Sequence, residues 1–472
     1  MRVGERLARL FVESGIDRVF GVPGGQTLPL YEGIRRLPGR ISHVLMRDER
    51  SGGYAADAYA RMTGRVGVCD GTVGPGATNL LSPLAEAYCS SIPVLAVVSD
   101  VALGWEHRRT RGNASQALDQ MDAFKPVSKW QVRVTDPRSL DATFAQALRV
   151  ATTGKPGPVV LNVPVDVGTA DVEFGPLPEI GAAATYPRFR MAPDPADLAR
   201  AVAALAEAER PALLVGGGAH ISGCYDQVEA LAERLQPSRG WELVKHADAR
   251  ARWYEEMTDP AREPTAPLRA QAIMGVINEY VTDADTAVAD ASLASGWVAC
   301  YLSFAAAGRR SIAPRGLAGL GWGCPAAVGA ALASRNQGRI LHFAGDGGFG
   351  YSLQEMEVMH RARLPIVTFI FNNDTLGWIK HVQRDSYDGN YVSTDFHHID
   401  FAQVARGFGL RTYNVATLDE LRAALEQERD AGGPALIDMI SDQWETPVQR
   451  LEDPAATTAK RSEPEPALAY SA

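Results

Sequence analysis

RILHFAGDGGFGYSLQEMEVMHRARLPIVTFIFNND, residues 339–374, is written as a strand, a helix and a second strand. The apolar run 340–344 ends in Gly345-Asp346-Gly347-Gly348, and after a helical stretch the apolar run 365–371 delivers Asn372-Asn373. Two strands joined by a helical crossover are parallel, so their carboxyl ends share one edge of a sheet. Asp346 and Asn373 are therefore expected beside one ligand. Glycines let a backbone approach a diphosphate closely, and the start of the following helix offers N–H groups to it. An aspartate carboxylate, an asparagine oxygen and a main-chain carbonyl are hard oxygen ligands suited to Mg²⁺, with diphosphate oxygens and water completing the shell. An isolated Gly-Asp-Gly is also how a strand-to-helix turn with a capping aspartate is written. The paired asparagines at crossover spacing favour the ligand site.

The same alternation extends outward from this unit. Apolar runs at 286–289 and 435–440 frame one domain over 265–445. Residues 1–170 repeat the pattern, with strands at 17–20, 41–46, 66–70 and 93–98 and helices ending near Leu37, running from Glu49 to about Arg61, and opening after Gly74-Pro75-Gly76. The run 93–98 is continuously apolar, as a strand buried on both faces must be. Between these domains, 190–260 holds two helical stretches, one expected strand at 212–215 followed by Gly216-Gly217-Gly218, and a polar stretch over 237–264. The fold class expected is α/β: two doubly wound parallel-sheet domains flanking a truncated α/β middle domain. Residues 452–472, rich in Pro, Ala, Glu and Thr, are too poor in apolar side chains to order and read as a flexible tail.

Composition narrows the function. A chain of 472 residues exceeds one core at roughly 100–200 residues per domain. With 47 Lys and Arg against 56 Asp and Glu, a formal charge of -9 and no basic block, nucleic acid is not the expected partner. No apolar stretch approaches the roughly 20 residues that span a bilayer, and the start MRVGERLARLFVESG lacks an apolar secretory core. Five cysteines show no CxxC pairing, so a reducing cytoplasm without disulfides or structural zinc is expected.

Further segments carry a family likeness: FGVPGGQTLPLYEGI at 20–34, RDERSGGYAADAYARMTGRVGVCDGTVGPGATNL at 47–80, DQMDAFKPVSKW at 119–130, GKPGPVVLNVPVDV at 154–167 and GLGWGCPAAVGAAL at 319–332. With the 339–374 unit they resemble the thiamine diphosphate (ThDP) enzymes, and among them the acetolactate synthase family. The likeness covers most of 15–170 and 270–445. It implies a pyrimidine-binding domain at 1–170 and a diphosphate-binding domain at 265–445. Glu49 is by this likeness the carboxylate that shares a proton with N1′ of the aminopyrimidine, favouring the tautomer whose N4′ deprotonates thiazolium C2. Read alone, Glu49 is also a surface glutamate at a helix start. Leu320 takes the place of the bulky residue that bends the cofactor, and the Ala318 carbonyl accepts from N4′. Pro75 and Asn79 lie near the pyrimidine; Gly345, Asp346, Gly347, Gly348 and Asn373 hold the diphosphate. By the same likeness, Asp346, Asn373 and the main-chain oxygen of Thr375 are expected as the metal ligands. Gly24, Gly25, Gln116 and Trp378 are expected to face the substrate.

Three departures matter. Asp48 replaces the family's histidine before the glutamate; Ser115 and Ala117 replace the residues flanking Gln116, which puts pyruvate as substrate in doubt; and about half the usual middle domain is missing after Leu235. That domain holds FAD in flavin-containing relatives, so FAD is not expected. The function implied is ThDP- and Mg²⁺-dependent decarboxylation of a small 2-oxoacid with ligation to a second carbonyl. Alternatives are a simple 2-oxoacid decarboxylase, an enzyme of the sulfoacetaldehyde acetyltransferase type, and a non-catalytic regulatory paralogue. The family builds each site from two subunits, so a homodimer or homotetramer is implied. Among histidines, His107 is the one ranked for proton transfer.

Overall fold

Two sheets of six parallel strands carry the chain. The computed structural model describes residues 1–447 apart from 182, 210, 235–247, 250, 253, 254, 256–266, 307 and 335–337. The first sheet holds β1 (Arg18–Gly21), β2 (Ser42–Leu45), β3 (Gly67–Gly71), β4 (Val94–Asp100), β5 (Trp130–Arg133) and β6 (Val159–Pro164). The second holds β7 (Thr286–Ala289), β8 (Ser311–Ile312), β9 (Ile340–Gly345), β10 (Ile366–Asn372), β11 (Arg411–Val415) and β12 (Ala435–Ile440). Their orders are β2-β1-β3-β4-β6-β5 and β8-β7-β9-β10-β12-β11, one topology written twice. In both, the chain leaves the first strand toward one edge and returns on its other side, which opens a crevice at the carboxyl ends. The crevices fall between β1 and β3 and between β7 and β9.

The central strands are apolar because helices cover both faces. Every residue of β4, β6 and β10 is buried, as all-parallel sheets require. Phe343 of β9 and Phe369 of β10 are register partners whose rings stack 5.0 Å apart; such a pair adds about 0.5–1.5 kcal/mol beyond its burial.

One apolar cluster runs through both units, from Phe20 and Tyr54 of the first to Val328 and Phe349 of the second. It is crossed by helix Glu49–Thr63 packed on helix Gly323–Ala333. Trp322, fully buried, donates from Nε1 to Asp57 Oδ2 at 3.0 Å, and the Arg61 guanidinium lies over its ring.

The middle region departs from expectation. Helices Pro195–Glu207, Gly217–Ser222 and Tyr225–Arg234 form, but among the described residues no strand lies between 190 and 260. The run 212–215 forms no strand, and Leu214 is fully exposed. A single apolar run without a neighbouring strand cannot pair its N–H and C=O groups, so no sheet forms. The tail 452–472 and most of the polar stretch 237–264 lie outside the described residues.

Candidate active site

The expected residues gather in two groups, one at each crevice. In the first, Asp48 caps helix Glu49–Thr63, its carboxylate accepting from the Arg50 N–H at 2.7 Å. That is the role of the residue standing where the family has histidine. Capping sets Glu49 in the first helical turn, where free N–H groups favour a carboxylate. Asn79, ending helix Pro75–Asn79, donates from Nδ2 to Glu49 Oε2 at 3.0 Å. Gly76 leaves room for the same carboxylate: a Cβ there would stand 3.0 Å from Glu49 Oε1.

Gly74 has φ +74°, and a Cβ on it would lie 2.4 Å from the Gln116 carbonyl, so glycine is required there. Gln116 thus packs its backbone across the turn into Pro75, while the residue itself is exposed. Gly24 closes the far side against Thr72, whose side chain a Cβ would meet at 2.3 Å, and Gly25 faces open space.

In the second group a cavity of about 430 Å³ opens at the carboxyl ends of β7, β9 and β10. Ala318, Leu320, Gly345, Asp346, Gly347, Gly348, Asn373, Thr375 and Trp378 all line it. Asp346 is buried and accepts from the Gly347 N–H at 2.7 Å and the Asn373 N–H at 3.2 Å. Burial, with a smaller push from the Asp374 carboxylate, raises the carboxyl pKa to about 6. Asn373 Oδ1 is buried without a hydrogen-bond partner. A native buried amide oxygen left in this way needs an explanation. Among the described residues the Thr375 carbonyl accepts the Gly377 N–H, at 2.9 Å, and keeps a second lone pair. One carboxylate, one orphaned amide oxygen and one main-chain oxygen fit a hard cation that takes its other ligands from a diphosphate and water. Gly345 presents open space to the cavity, whereas a Cβ on Gly347 or Gly348 would strike Leu376 or Asp290 at 2.8 Å.

Two residues of this site escape a sequence reading. Asp290, fully buried after β7, accepts from the N–H groups of Ala291, Gly321, Trp322 and Gly323 and so fixes the chain after Leu320. Its position at a strand end, matching Asp346, was the available signal. Arg315 is the one Lys or Arg among the lining residues and donates to Ser295 Oγ; no motif marks it. His107 is exposed, on helix Glu106–Thr110. No residue of the first sheet lines the cavity, whose walls fall between Ala270 and Glu445. One chain does not bring Glu49 into the cavity of Asp346.

Two crevices of one topology, one presenting a capped glutamate and the other a glycine-rich cradle with an orphaned oxygen donor, define a diphosphate-cofactor enzyme of the paired α/β type. Residues 1–123 match the family described as "Thiamine pyrophosphate enzyme, N-terminal TPP binding domain", and 290–439 match its "C-terminal TPP binding domain". The chain belongs to the thiamine pyrophosphate enzymes and is acetolactate synthase-like. It is similar to the probable acetolactate synthase large subunit of Methanocaldococcus jannaschii, 26% identical with 94% of this chain and 92% of the relative covered. The acetolactate synthase large subunit of Parasynechococcus marenigrum is 29% identical, with 90% and 85% covered. A probable 2-ketoarginine decarboxylase of Pseudomonas aeruginosa is 28% identical, with 93% and 94% covered. These alignments span 555, 538 and 542 positions, more than the chain's 472 residues, so the relatives carry residues with no counterpart here. Among the described residues no helix is long and apolar enough to cross a membrane.

Proposed function

We propose that the protein uses thiamine diphosphate and Mg²⁺ to decarboxylate a small 2-oxoacid and to join the remaining fragment to a second carbonyl compound. The observation that carries this reading is Asn373 Oδ1, orphaned and buried beside Asp346 in a cavity that Leu320 also lines. Asp346, Asn373 and the Thr375 carbonyl would hold the metal, and the backbone from Gly345 to Gly348 the diphosphate. Thiamine diphosphate, when bound, supplies the electron sink that decarboxylation of a 2-oxoacid requires. The protein's own part is to orient and to move protons. Glu49, held through Oε2 by Asn79, keeps Oε1 free on the Gly76 side to share a proton with the cofactor's ring nitrogen. Leu293, Leu376 and Trp378 wall the cavity with apolar surface and exclude water from the reacting end.

Because the cavity lacks Glu49, the site is completed by a second copy of the chain, and a homodimer or homotetramer is the assembly that fits. The shortened region between 190 and 260 serves in this reading as a spacer domain with no place for FAD, so the purified protein is expected to be colourless. A reducing cytoplasm is the proposed setting, one in which the five cysteines stay as free thiols.

A second reading, simple decarboxylation, is favoured by the likeness to the Pseudomonas protein named as a 2-ketoarginine decarboxylase. Incubation with ThDP, Mg²⁺ and a panel of 2-oxoacids, with products identified by mass spectrometry, tests both. A 2-hydroxyketone supports ligation, an aldehyde supports decarboxylation alone, and no ThDP-dependent turnover contradicts the two readings together.

A further inference from the structure

We propose that Glu86 is a positioning residue that holds the turn carrying Ala318 and Leu320 in its cofactor-ready shape before the cofactor binds. The inference rests on the thiamine diphosphate reading for what the turn is positioned to do. Glu86 lies on helix Leu81–Ser90, in the unit of the first sheet, and is 1% exposed. Its carboxylate accepts from three successive backbone N–H groups of the other unit: Gly316 at 3.1 Å, Leu317 at 2.6 Å and Ala318 at 2.9 Å. Consecutive N–H groups converging on one anion form a concave anion-binding nest, whose N–H dipoles the carboxylate offsets. Ala318 sits at φ +56°, in the left-handed region that a residue with a side chain enters at a cost. Something outside the turn must hold it there.

The surrounding contacts point the same way. Arg61 donates to Glu86 Oε1 at 3.0 Å and to the Ala313 carbonyl at 3.0 Å, and pairs with Asp57 at 2.9 Å, so it grips the start of the turn as well. Ser90 Oγ donates to the same Oε1 at 2.6 Å. Gly316 allows the close approach, because a Cβ there would lie 2.7 Å from Ser90 Oγ and 2.8 Å from the Glu86 carbonyl. On the far side of Leu320, the N–H groups of Gly321, Trp322 and Gly323 go to Asp290. Two buried carboxylates, one from each unit, thus clamp the turn and leave Gly319 and Leu320 between them. Leu320 meets the cavity from that suspended position.

The test uses the full-length protein and Glu86→Gln, which keeps the volume but replaces one acceptor oxygen by a donor. Hydrogen exchange of peptides covering 313–323 should show the amides of 316–318 protected in the wild type without ThDP. In Glu86→Gln their exchange should quicken by about tenfold to hundredfold, the equivalent of losing a hydrogen bond to a charged group. Far-UV circular dichroism should be retained. ThDP affinity, carried by Asp346 and Asn373, should change little, while exchange of the C2 proton of bound ThDP falls by about tenfold. Adding Ala318→Gly, which relieves the left-handed conformation, should restore part of that loss. A merely structural role would not produce this rescue. If Glu86→Gln does not fold, Gly316→Ala displaces the same turn without changing a charge and should give the same two signatures. Unprotected wild-type amides at 316–318, or protection unchanged in both variants, overturns the proposal. A wild type that binds no ThDP, with the protection pattern intact, overturns the cofactor reading instead.

Discussion

Gly329 lies against the main-chain oxygen of Ala55: a Cβ built on it would stand 2.1 Å from that atom and 2.9 Å from the carbonyl carbon. The two helices that join the sheets, Glu49–Thr63 and Gly323–Ala333, can approach this closely only because position 329 has no side chain. Gly329→Val must push the helices apart or distort the backbone. It is expected to lower stability by about 1–3 kcal/mol or more, read as a shifted denaturant midpoint. An unchanged midpoint would mean that the two units do not pack through these helices.

Glu355 supplies a pH dependence. It is fully buried, receives the Arg47 N–H at 3.3 Å, and burial pushes its pKa from near 4.5 to about 7. The folded protein therefore binds more protons than the unfolded chain between those values. Stability from this group is fully present below about 4.5 and is lost as pH rises through about 7. Glu355→Gln removes the dependence and should exceed the wild type in stability at pH 8 by about 1–3 kcal/mol, with little difference at pH 4.5. Denaturation at the two pH values checks it.

Asp346→Ala should weaken Mg²⁺-dependent ThDP binding by at least about a hundredfold, since it leaves a buried diphosphate and metal without their only anionic protein partner. Asn373→Ala should act in the same direction but less, because it removes a neutral ligand. Calorimetric titration with and without Mg²⁺ measures both. Equal affinity for ThDP in all three proteins would remove the metal site from these residues.

The separation of Glu49 from the cavity gives an assembly prediction. Asp346→Ala and Glu49→Gln should each be inactive alone. After subunit exchange about half of the dimers are mixed, and each mixed dimer holds one site with both native residues, so about a quarter of wild-type activity should return. No recovery, despite exchange confirmed by native mass spectrometry, would place Glu49 and Asp346 of one site on one chain.

Much of this was written in the sequence, and the exceptions have physical causes. Most central strands announce themselves as apolar runs: β7 and β12 fall on the residues expected, and β9 and β10 within one residue, but β6, central and wholly buried, was not among the expected strands. The edge strands β5, β8 and β11 do not, because they are short and partly exposed and carry polar side chains. The expected strand at 212–215 fails for the converse reason, an apolar run without neighbours. Asp346 and Asn373 were legible because crossover spacing alone brings two strand ends together. Glu86 was not, since its partners are backbone N–H groups some 230 residues away, which no local pattern encodes; Asp290 was missed although it follows a strand end as Asp346 does. Gln116, expected at the substrate side, is exposed and packs its backbone against Gly74.

If Glu49 moves the proton that activates ThDP bound by this protein, C2 proton exchange with deuterated solvent, followed by NMR on the bound cofactor, depends on it. The wild type with Mg²⁺ should exchange far faster than free ThDP, and Glu49→Gln should retain ThDP but exchange about 10²–10⁴-fold more slowly. Exchange in Glu49→Gln equal to that of the wild type would contradict the account and leave Glu49 as no more than the first residue of a capped helix.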